Sequence, residues 1–168
     1  MQNDEIEEKY MRAVLQLAGQ VEPPNDSCAM VGAIVVADNR IAGKGYHVRE
    51  HALHAEVIAL REAGQAAQGS TLYTNLEPCT ADMQKAFNRD TESCVDVIVK
   101  SGVKRVVIAM LDPNPLVNGR GAAELEKAGI DTTTGVLDHQ ARTVNRRYIN
   151  YMQSHWLDTG QECQTGGI

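Results

Sequence analysis

The chain has 168 residues, of which 43% are hydrophobic and 23% are charged, and these proportions predict one globular domain and exclude a disordered chain. No stretch approaches about 18 consecutive apolar residues, and the N-terminus, MQNDEIEEKY, lacks the basic start and apolar run of a secretory signal, so we expect a cytoplasmic protein with no membrane partner. A net charge of −6 and an aromatic content of 4% argue against nucleic acid as a partner.

The beginning of the chain predicts a helix followed by a β-hairpin. Apolar residues recur at helical spacing over residues 5–17, and the sequence Pro-Pro-Asn-Asp at 23–26 ends the helix. The β-branched run MVGAIVVA at 30–37 predicts a buried strand. Residues 40–47 return as its hairpin partner after a turn at Asp38-Asn39.

The remaining sequence alternates between strands and helices. Strands are predicted at residues 71–76, 105–110 and 130–136, and helices at residues 54–63, 95–100, 122–127 and 138–155. A further helix is expected to begin at Pro78-Cys79, directly after the strand at 71–76, and Asp138 is the predicted N-cap of the last helix. This order predicts an α/β fold in which helices cover a sheet and sites form where strand ends meet helix starts.

The use of the four cysteines depends on the compartment. Cys28, Cys79, Cys94 and Cys163 could form two disulfides in a secreted domain, but in a reducing cytosol metal binding or catalysis is the more common use. Cys163 lies in the unpatterned stretch DTGQECQTGGI, where we expect a loose tail and no role for this thiol.

Three short motifs are informative together: His54-Ala55-Glu56, Pro78-Cys79 and Cys94. Each has an ordinary interpretation alone, because His54 could be a core-facing helical histidine and the two cysteines could be small buried side chains. Their predicted positions near helix starts at one sheet edge favour a site, and a helix N-terminus lowers the pKa of a thiol. One imidazole and two thiolates are three ligands for tetrahedral zinc, with a fourth position open for water and Glu56 placed to act as its base.

The His-x-Glu, Pro-Cys and Cys motifs are similar to the signature of zinc-dependent nucleobase deaminases. Four longer stretches, LHAEVIALREAG, STLYTNLEPCT, SGVKRVVIAMLDPNPLVNGRG and KAGIDTTTGVL, resemble the deaminase domain of the diaminohydroxyphosphoribosylaminopyrimidine deaminases of riboflavin biosynthesis, within the cytidine/deoxycytidylate deaminase superfamily. The resemblance spans residues 10–145 and implies a three-layer α/β/α fold with a central mixed five-stranded sheet. We accordingly expect a deaminase domain over residues 1–158 and a flexible tail over residues 159–168.

The resemblance implies a chemical role for each matching residue. One zinc ion per chain would be held by His54, Cys79 and Cys94, and Glu56 would carry the proton while ammonia is released from a phosphorylated aminopyrimidine. The substrate would be a diaminohydroxypyrimidine phosphate with a ribosylamino or a ribitylamino group. The family also implies a homodimer or larger homo-oligomer. A separate reductase is implied as well, because many members carry a C-terminal reductase domain.

Six further residues are implied at the substrate: Asn25, His47, Lys85, Arg89, Asp112 and Asn114. Asp112 and Asn114 belong to the family-like sequence Asp-Pro-Asn-Pro, which could also be a simple turn, and His47 could be a solvated strand end. The family has a short loop with a basic residue between its cysteines, whereas this chain has Cys-x14-Cys. Lys85 or Arg89 would then replace that basic residue at the substrate phosphate. Asn25 matches the Pro-Asn-Pro of the bacterial family loosely.

Two alternatives remain open at this point. The first is a deaminase of another free base, nucleoside or nucleotide, for example of cytosine or guanine type. The second is a non-catalytic zinc-binding protein, which should lack a base beside the open metal position, where this sequence has Glu56.

Overall fold

A five-stranded sheet forms the centre of the molecule. The structure, a computed structural model, describes residues 2–20, 22–23, 25–46, 53–86, 92–115 and 117–155. The strands of this part of the chain are β1 (Gly32–Ala37), β2 (Arg40–Tyr46), β3 (Thr71–Leu76), β4 (Arg105–Met110) and β5 (Asp131–Thr134). Their order is β2-β1-β3-β4-β5, with β1 antiparallel to β2 and β3 and the last three strands parallel. The predicted mixed sheet is confirmed.

Helices cover both faces of this sheet. They are α1 (Gln2–Ala18), α2 (Ala55–Ala63), α3 (Ala81–Ala86), α4 (Cys94–Lys100), α5 (Arg120–Lys127), α6 (Asp138–Val144) and α7 (Arg146–His155). Side chains alternate along β1, so that Ala33 and Val35 pack with α2, α4 and α5, whereas Ile34 and Val36 pack with α1, α6 and α7. Among the described helices, none has both the length and the apolar character needed to cross a membrane. Because helices pack on both faces of the sheet, the fold is the predicted three-layer α/β/α arrangement.

Two glycines on β2 let helix α2 lie directly against the sheet. A Cβ atom at Gly45 would lie 1.9 Å from the carbonyl oxygen of Ala55, and one at Gly43 would lie 2.1 Å from that of Ala59. A larger residue at either position would have to displace the helix backbone. This close contact fixes the start of α2, which carries the His-x-Glu motif.

The carboxyl ends of the parallel strands β3 and β4 lie at one edge of the sheet. The chain leaves β3 into Glu77-Pro78-Cys79 and leaves β4 into Leu111-Asp112. The backbone N–H of Glu77 donates to the carbonyl of Met110 at 3.1 Å, so the two segments begin side by side. An α/β fold forms its binding sites at this kind of edge.

The helix expected to begin at Pro78-Cys79 begins later, and this prediction is wrong. Helix α3 is capped by Thr80, whose hydroxyl accepts the N–H of Met83 at 3.4 Å and whose carbonyl accepts the N–H of Gln84 at 3.2 Å. Cys79 therefore precedes the cap and lies in an irregular segment, not in the first helical turn.

The last predicted helix is divided in two. Helices α6 and α7 meet at Asn145, whose side chain accepts the N–H of Met30 at 2.8 Å and donates to the carbonyl of Met30 at 3.1 Å. Because both backbone groups of Met30 are engaged in this way, β1 starts at Gly32 and not at the predicted residue 30. Leu137, with a φ of 58°, is the N-cap of α6, so the N-cap predicted at Asp138 is wrong by one position.

Candidate active site

Three metal-ligating side chains converge at the sheet edge where β3 and β4 end. The Nδ1 atom of His54 lies 3.0 Å from Sγ of Cys94 and 3.5 Å from Sγ of Cys79, and the three ligand atoms all lie within 4.8 Å of one another. Both cysteines are buried and neither forms a disulfide, whereas His54 is partly exposed. The structure thus brings together the three residues that the sequence predicts as metal ligands.

Each of these side chains is placed by the end of a helix or strand. His54 is the N-cap of α2, with extended φ and ψ of −72° and 157°. Cys94 is the first residue of α4, which Ser93 caps by accepting the N–H of Asp96 at 3.1 Å. The N–H of Cys94 donates to Sγ of Cys79 at 3.3 Å, so the segment between the two cysteines returns to the point where it left the sheet.

The two thiols form a tightly coupled pair. The hydrogen bond with Cys94 is the largest cause of the lowered pKa of Cys79, which falls to about 4. Hydrogen bonding to Cys79, followed by burial, raises the pKa of Cys94 well above its ordinary value. A helix N-terminus makes a smaller contribution in the same direction, because the N–H of Cys94, the first residue of α4, also lowers the pKa of Cys79. A cation that binds both sulfurs would displace the remaining proton, because the thiolate is the form that ligates metal.

A buried carboxyl group lies beside the three ligands. Glu56 is 3% exposed, and its Oε2 lies 3.7 Å from Sγ of Cys94. Burial is the largest cause of the raised pKa of Glu56, although the nearby His54 acts in the opposite direction. The hydroxyl of Thr74 lies 3.5 Å from Glu56 Oε1 but has a nearer acceptor in the carbonyl of Leu76 at 3.1 Å, so it restrains the carboxylate weakly. A carboxyl group with a raised pKa is suited to accept a proton and to return it.

The donor set and its spacing suit zinc. Zinc binds imidazole nitrogen at about 2.0 Å and thiolate sulfur at about 2.3 Å, so these ligand atoms lie roughly 3.6 Å apart in a tetrahedral site. The distances of 3.0 and 3.5 Å from the His54 nitrogen to the two sulfurs are close to that separation. Val57, Met83 and Val97 pack around the two sulfurs and make the surroundings apolar. Three protein ligands leave a tetrahedral ion one position for an exogenous group, which is typical of catalytic zinc sites.

The loop after β4 carries the predicted substrate residues Asp112 and Asn114, and both are buried. Oδ1 of Asp112 accepts the N–H of Asn114 at 2.8 Å and the hydroxyl of Tyr148 at 2.9 Å. Burial is the largest cause of the raised pKa of Asp112, which reaches about 7 although both hydrogen bonds lower it. One carboxylate oxygen of Asp112 thus joins this loop to α7.

The other predicted substrate residues have different surroundings. Asn25 is exposed, and its side-chain oxygen accepts the N–H of Ser27 at 3.0 Å and the hydroxyl of the same residue at 2.5 Å within its own turn. Lys85 lies on the exposed side of α3, 4.0 Å from Asp82. Two predicted residues lie outside the part of the chain that the structure describes: His47 and Arg89.

Comparison with known proteins identifies the family. Residues 4–110 match the family model of the cytidine and deoxycytidylate deaminase zinc-binding region. A diaminohydroxyphosphoribosylamino-pyrimidine deaminase of Buchnera aphidicola subsp. Schizaphis graminum is 36% identical over 145 residues, which make up 86% of this chain and 95% of that protein. The chain belongs to this deaminase family.

Longer relatives of the deaminase share the same region. The riboflavin biosynthesis protein RibD of Aquifex aeolicus is 45% identical over 148 residues, which make up 88% of this chain and 40% of that protein. The solved structure of Acinetobacter baumannii RibD, form 2, has a TM-score of 0.82 at 35% identity and matches 90% of this chain and 41% of that one. The chain therefore spans about two fifths of the length of these RibD relatives. Together these similarities confirm the family and the fold that the sequence predicts.

Glu77 is a residue of the candidate site that the sequence did not reveal. It is 3% exposed, and its carboxylate accepts the backbone N–H groups of Asp112 at 3.1 Å, Gly119 at 2.9 Å and Ala122 at 3.1 Å. Glu77 thereby joins the end of β3 to the loop after β4 and to α5. A signal was available in TNLEPC, because an acidic residue directly after a buried strand needs donors once it is buried.

Gln84 is a second residue that the sequence did not reveal. It is 5% exposed, and its Nε2 donates to Sγ of Cys79 at 3.4 Å. It lies in the segment between Cys79 and Cys94, where the family pattern has a much shorter loop, so no family position predicted it.

Proposed function

We propose that this chain is a zinc-dependent deaminase that releases ammonia from a phosphorylated aminopyrimidine. The observation that carries the proposal is the convergence of His54, Cys79 and Cys94 within 4.8 Å, with the buried carboxyl of Glu56 beside them. A non-catalytic zinc protein would have no use for a weakly bonded buried carboxyl at this position, because burying it is costly. Membership of the deaminase family supports the same reaction.

One zinc ion per chain would be held by Nδ1 of His54 and the Sγ atoms of Cys79 and Cys94. When bound, zinc acts as a Lewis acid that makes water nucleophilic near neutral pH. The protein fixes the His54 ring at the start of α2, and Val57 and the other apolar neighbours keep bulk water away from the sulfurs. A fixed ligand ring and apolar surroundings would keep the zinc site preorganised, so that bulk water would not compete with a bound substrate.

Glu56 is the proposed proton carrier. Its ionised carboxylate takes a proton from the attacking water as the water oxygen bonds to the ring carbon that bears the amine. The same carboxyl then delivers that proton to the amine nitrogen, the carbon–nitrogen bond breaks, and ammonia leaves. Because burial raises the pKa of Glu56, the carboxyl is able to hold the proton between the two steps.

The proposed substrate class follows from the names of the relatives. They are a diaminohydroxyphosphoribosylamino-pyrimidine deaminase and RibD riboflavin biosynthesis proteins, so the proposed substrate is the diaminohydroxypyrimidine phosphate of that pathway, with a ribosylamino or ribitylamino group. The proposed contacts are Asp112 and Asn114 at the pyrimidine ring and Lys85 and Arg89 at the phosphate. Asn25 and His47 are further proposed substrate-binding residues, with His47 near the mouth of the pocket. The Lys85 side chain is 79% exposed, which leaves it accessible to an anionic ligand.

The proposed setting is a cytoplasmic homo-oligomer built from a deaminase domain at residues 1–158. A separate reductase is the proposed partner in the same pathway, because a related protein of Thermotoga maritima is named both a diaminohydroxyphosphoribosylaminopyrimidine deaminase and a 5-amino-6-(5-phosphoribosylamino)uracil reductase.

The zinc content of a ligand variant tests this proposal. Wild-type protein purified without chelator should contain one zinc per chain by elemental analysis, and Cys94→Ala should retain little, because two ligands hold zinc poorly. Val99→Ala, at an exposed position of the same helix α4, is the matched control, and it should keep the full zinc content. Equal zinc in Cys94→Ala and the wild type would contradict the assignment of Cys94 as a ligand.

A further inference from the structure

Helix α3 brings an amide side chain to one of the two sulfurs. Gln84 is 5% exposed, and its Nε2 donates a hydrogen bond to Sγ of Cys79 at 3.4 Å. The backbone N–H of Cys94 donates to the same sulfur at 3.3 Å. Sγ of Cys79 therefore receives two N–H donors, and both belong to the stretch of chain that follows it up to Cys94.

The other end of the same amide has a different environment. Oε1 of Gln84 is buried and has no hydrogen-bond partner among the described residues. A buried carbonyl without a donor destabilises the folded state, and an apolar side chain of similar size would avoid that cost. Turning the amide over would place its oxygen against the sulfur, which as a thiolate only accepts hydrogen bonds. The Gln84 carbonyl is therefore left without a donor in the same orientation that lets the amide N–H donate to the Cys79 sulfur.

We propose that Gln84 is a positioning residue that orients the Cys79 sulfur and withdraws negative charge from it, so that this sulfur donates less charge to the metal. The inference rests on the proposed zinc site and deepens it. A hydrogen bond to a metal-binding group fixes its direction and tunes its electron donation. A sulfur that donates less charge leaves the metal a stronger Lewis acid, which is the property that hydrolytic deamination requires.

Helix α3, in the long segment between Cys79 and Cys94, has one side that faces the site. Met83 packs against the cluster formed by Val57, Cys79 and Cys94, while Asp82 and Lys85 are exposed. One side of α3 thus contacts the site and the other contacts solvent. The side of α3 that carries Met83 and Gln84 therefore supports the sulfur, while Asp82 and Lys85 lie on the other side in contact with solvent.

Cobalt substitution tests the role of Gln84 by a spectroscopic signal that does not depend on turnover. Co²⁺ in a site with two thiolates has a sulfur-to-metal charge-transfer band, whose energy falls when the sulfur is richer in electrons. Gln84→Met keeps the length of the side chain but removes the donor, so its band should move to longer wavelength. Asp82→Asn, on the exposed side of the same helix, should have the wild-type band.

Zinc affinity gives a second measurement on the same variants. Loss of a supporting hydrogen bond costs about 10–100-fold in metal affinity, so competition with a chromophoric chelator should show this loss in Gln84→Met and none in Asp82→Asn. Gln84→Met should remain folded, because it removes an unpaired buried carbonyl. A wild-type band position and zinc affinity in Gln84→Met would overturn the role of Gln84 while leaving the zinc site intact. Wild-type protein that takes up neither cobalt nor zinc would overturn the proposed zinc site as well.

Discussion

Two acidic residues of the site share burial but differ in their partners. Glu56 and Asp112 are 3% and 4% exposed, and burial is the largest cause of the raised pKa of each. Asp112 accepts two hydrogen bonds, at 2.8 and 2.9 Å, whereas the side-chain donors Thr74 and Cys94 lie 3.5 and 3.7 Å from the Glu56 carboxylate. The firmly bonded group is suited to hold the structure, and the loosely bonded group is suited to move a proton.

Glu56→Gln separates metal binding from chemistry. The variant should fold and retain zinc, because Glu56 is not among the proposed ligands, but ammonia release should fall by about 10²–10⁴-fold, since an amide cannot carry the proton. Glu62→Gln, at an exposed position of the same helix, should have near wild-type turnover. Near wild-type turnover in Glu56→Gln would show that another group carries the proton.

The raised pKa of Asp112 predicts a dependence of stability on pH. A carboxyl whose pKa rises from 3.8 to about 7 on folding contributes stability that is fully present below pH 4 and is lost as the pH rises through about 7. Asp112→Asn keeps an acceptor for Asn114 and Tyr148 but does not titrate. The free energy of unfolding of Asp112→Asn minus that of the wild type should therefore increase from pH 4 to pH 7, by up to about 4 kcal/mol. Urea unfolding at several pH values measures the difference, and a difference that is constant with pH would contradict the prediction.

At the scale of helices and strands, backbone contacts position the ligands. Helix α2 lies against Gly43 and Gly45 of β2, and the N–H of Val95 in α4 donates to the carbonyl of Cys79 at 3.2 Å. Glu77 joins the end of β3 to the loop after β4. A displacement of any one of these elements would separate the ligand atoms.

Gly45→Ala tests the contact between β2 and α2. The added Cβ would lie 1.9 Å from the carbonyl of Ala55, so the helix must move, at a cost of about 1–3 kcal/mol in the free energy of unfolding. Zinc affinity should fall with it, because His54 immediately precedes that helix. Gly19→Ala is the control, since a Cβ there would meet its nearest atom at an ordinary 3.4 Å. Unchanged stability and zinc affinity in Gly45→Ala would show that α2 is not fixed in this way.

The central residues of each helix and strand were easier to predict from the sequence than the residues where it begins or ends. Strands β3 and β4 have the predicted limits, because each is a buried apolar run between turn-forming residues. The start of α3 was misplaced because the hydroxyl of Thr80 caps it, in preference to Pro78. The break between α6 and α7 was missed because Asn145 bonds to Met30, a contact across 115 residues that no local pattern reveals.

At the scale of the whole molecule, the topology explains why distant motifs meet. The parallel arrangement of β3 and β4 places Cys79 and Asp112 at one sheet edge, and α2 and α4 bring His54 and Cys94 to the same place. The grouping of His54, Cys79 and Cys94 could be predicted because these residues belong to short motifs near helix starts and strand ends. Glu77 could not, because its partners lie 35 to 45 residues away in the sequence, and Gln84 could not, because no matching family position exists in the long segment between the cysteines. The roles of His47 and Arg89 stay predictions.

Ammonia release from the two candidate substrates tests the central claim most directly. Zinc-loaded protein is mixed with the ribosylamino and the ribitylamino diaminohydroxypyrimidine phosphates in parallel, with cytosine, cytidine and guanine as comparison compounds and Glu56→Gln as the inactive control. The account predicts ammonia from at least one of the two phosphates and none above background from the control. Ammonia from the comparison compounds alone would contradict the substrate class, and no ammonia from any compound by protein that contains zinc would contradict the assignment as a deaminase.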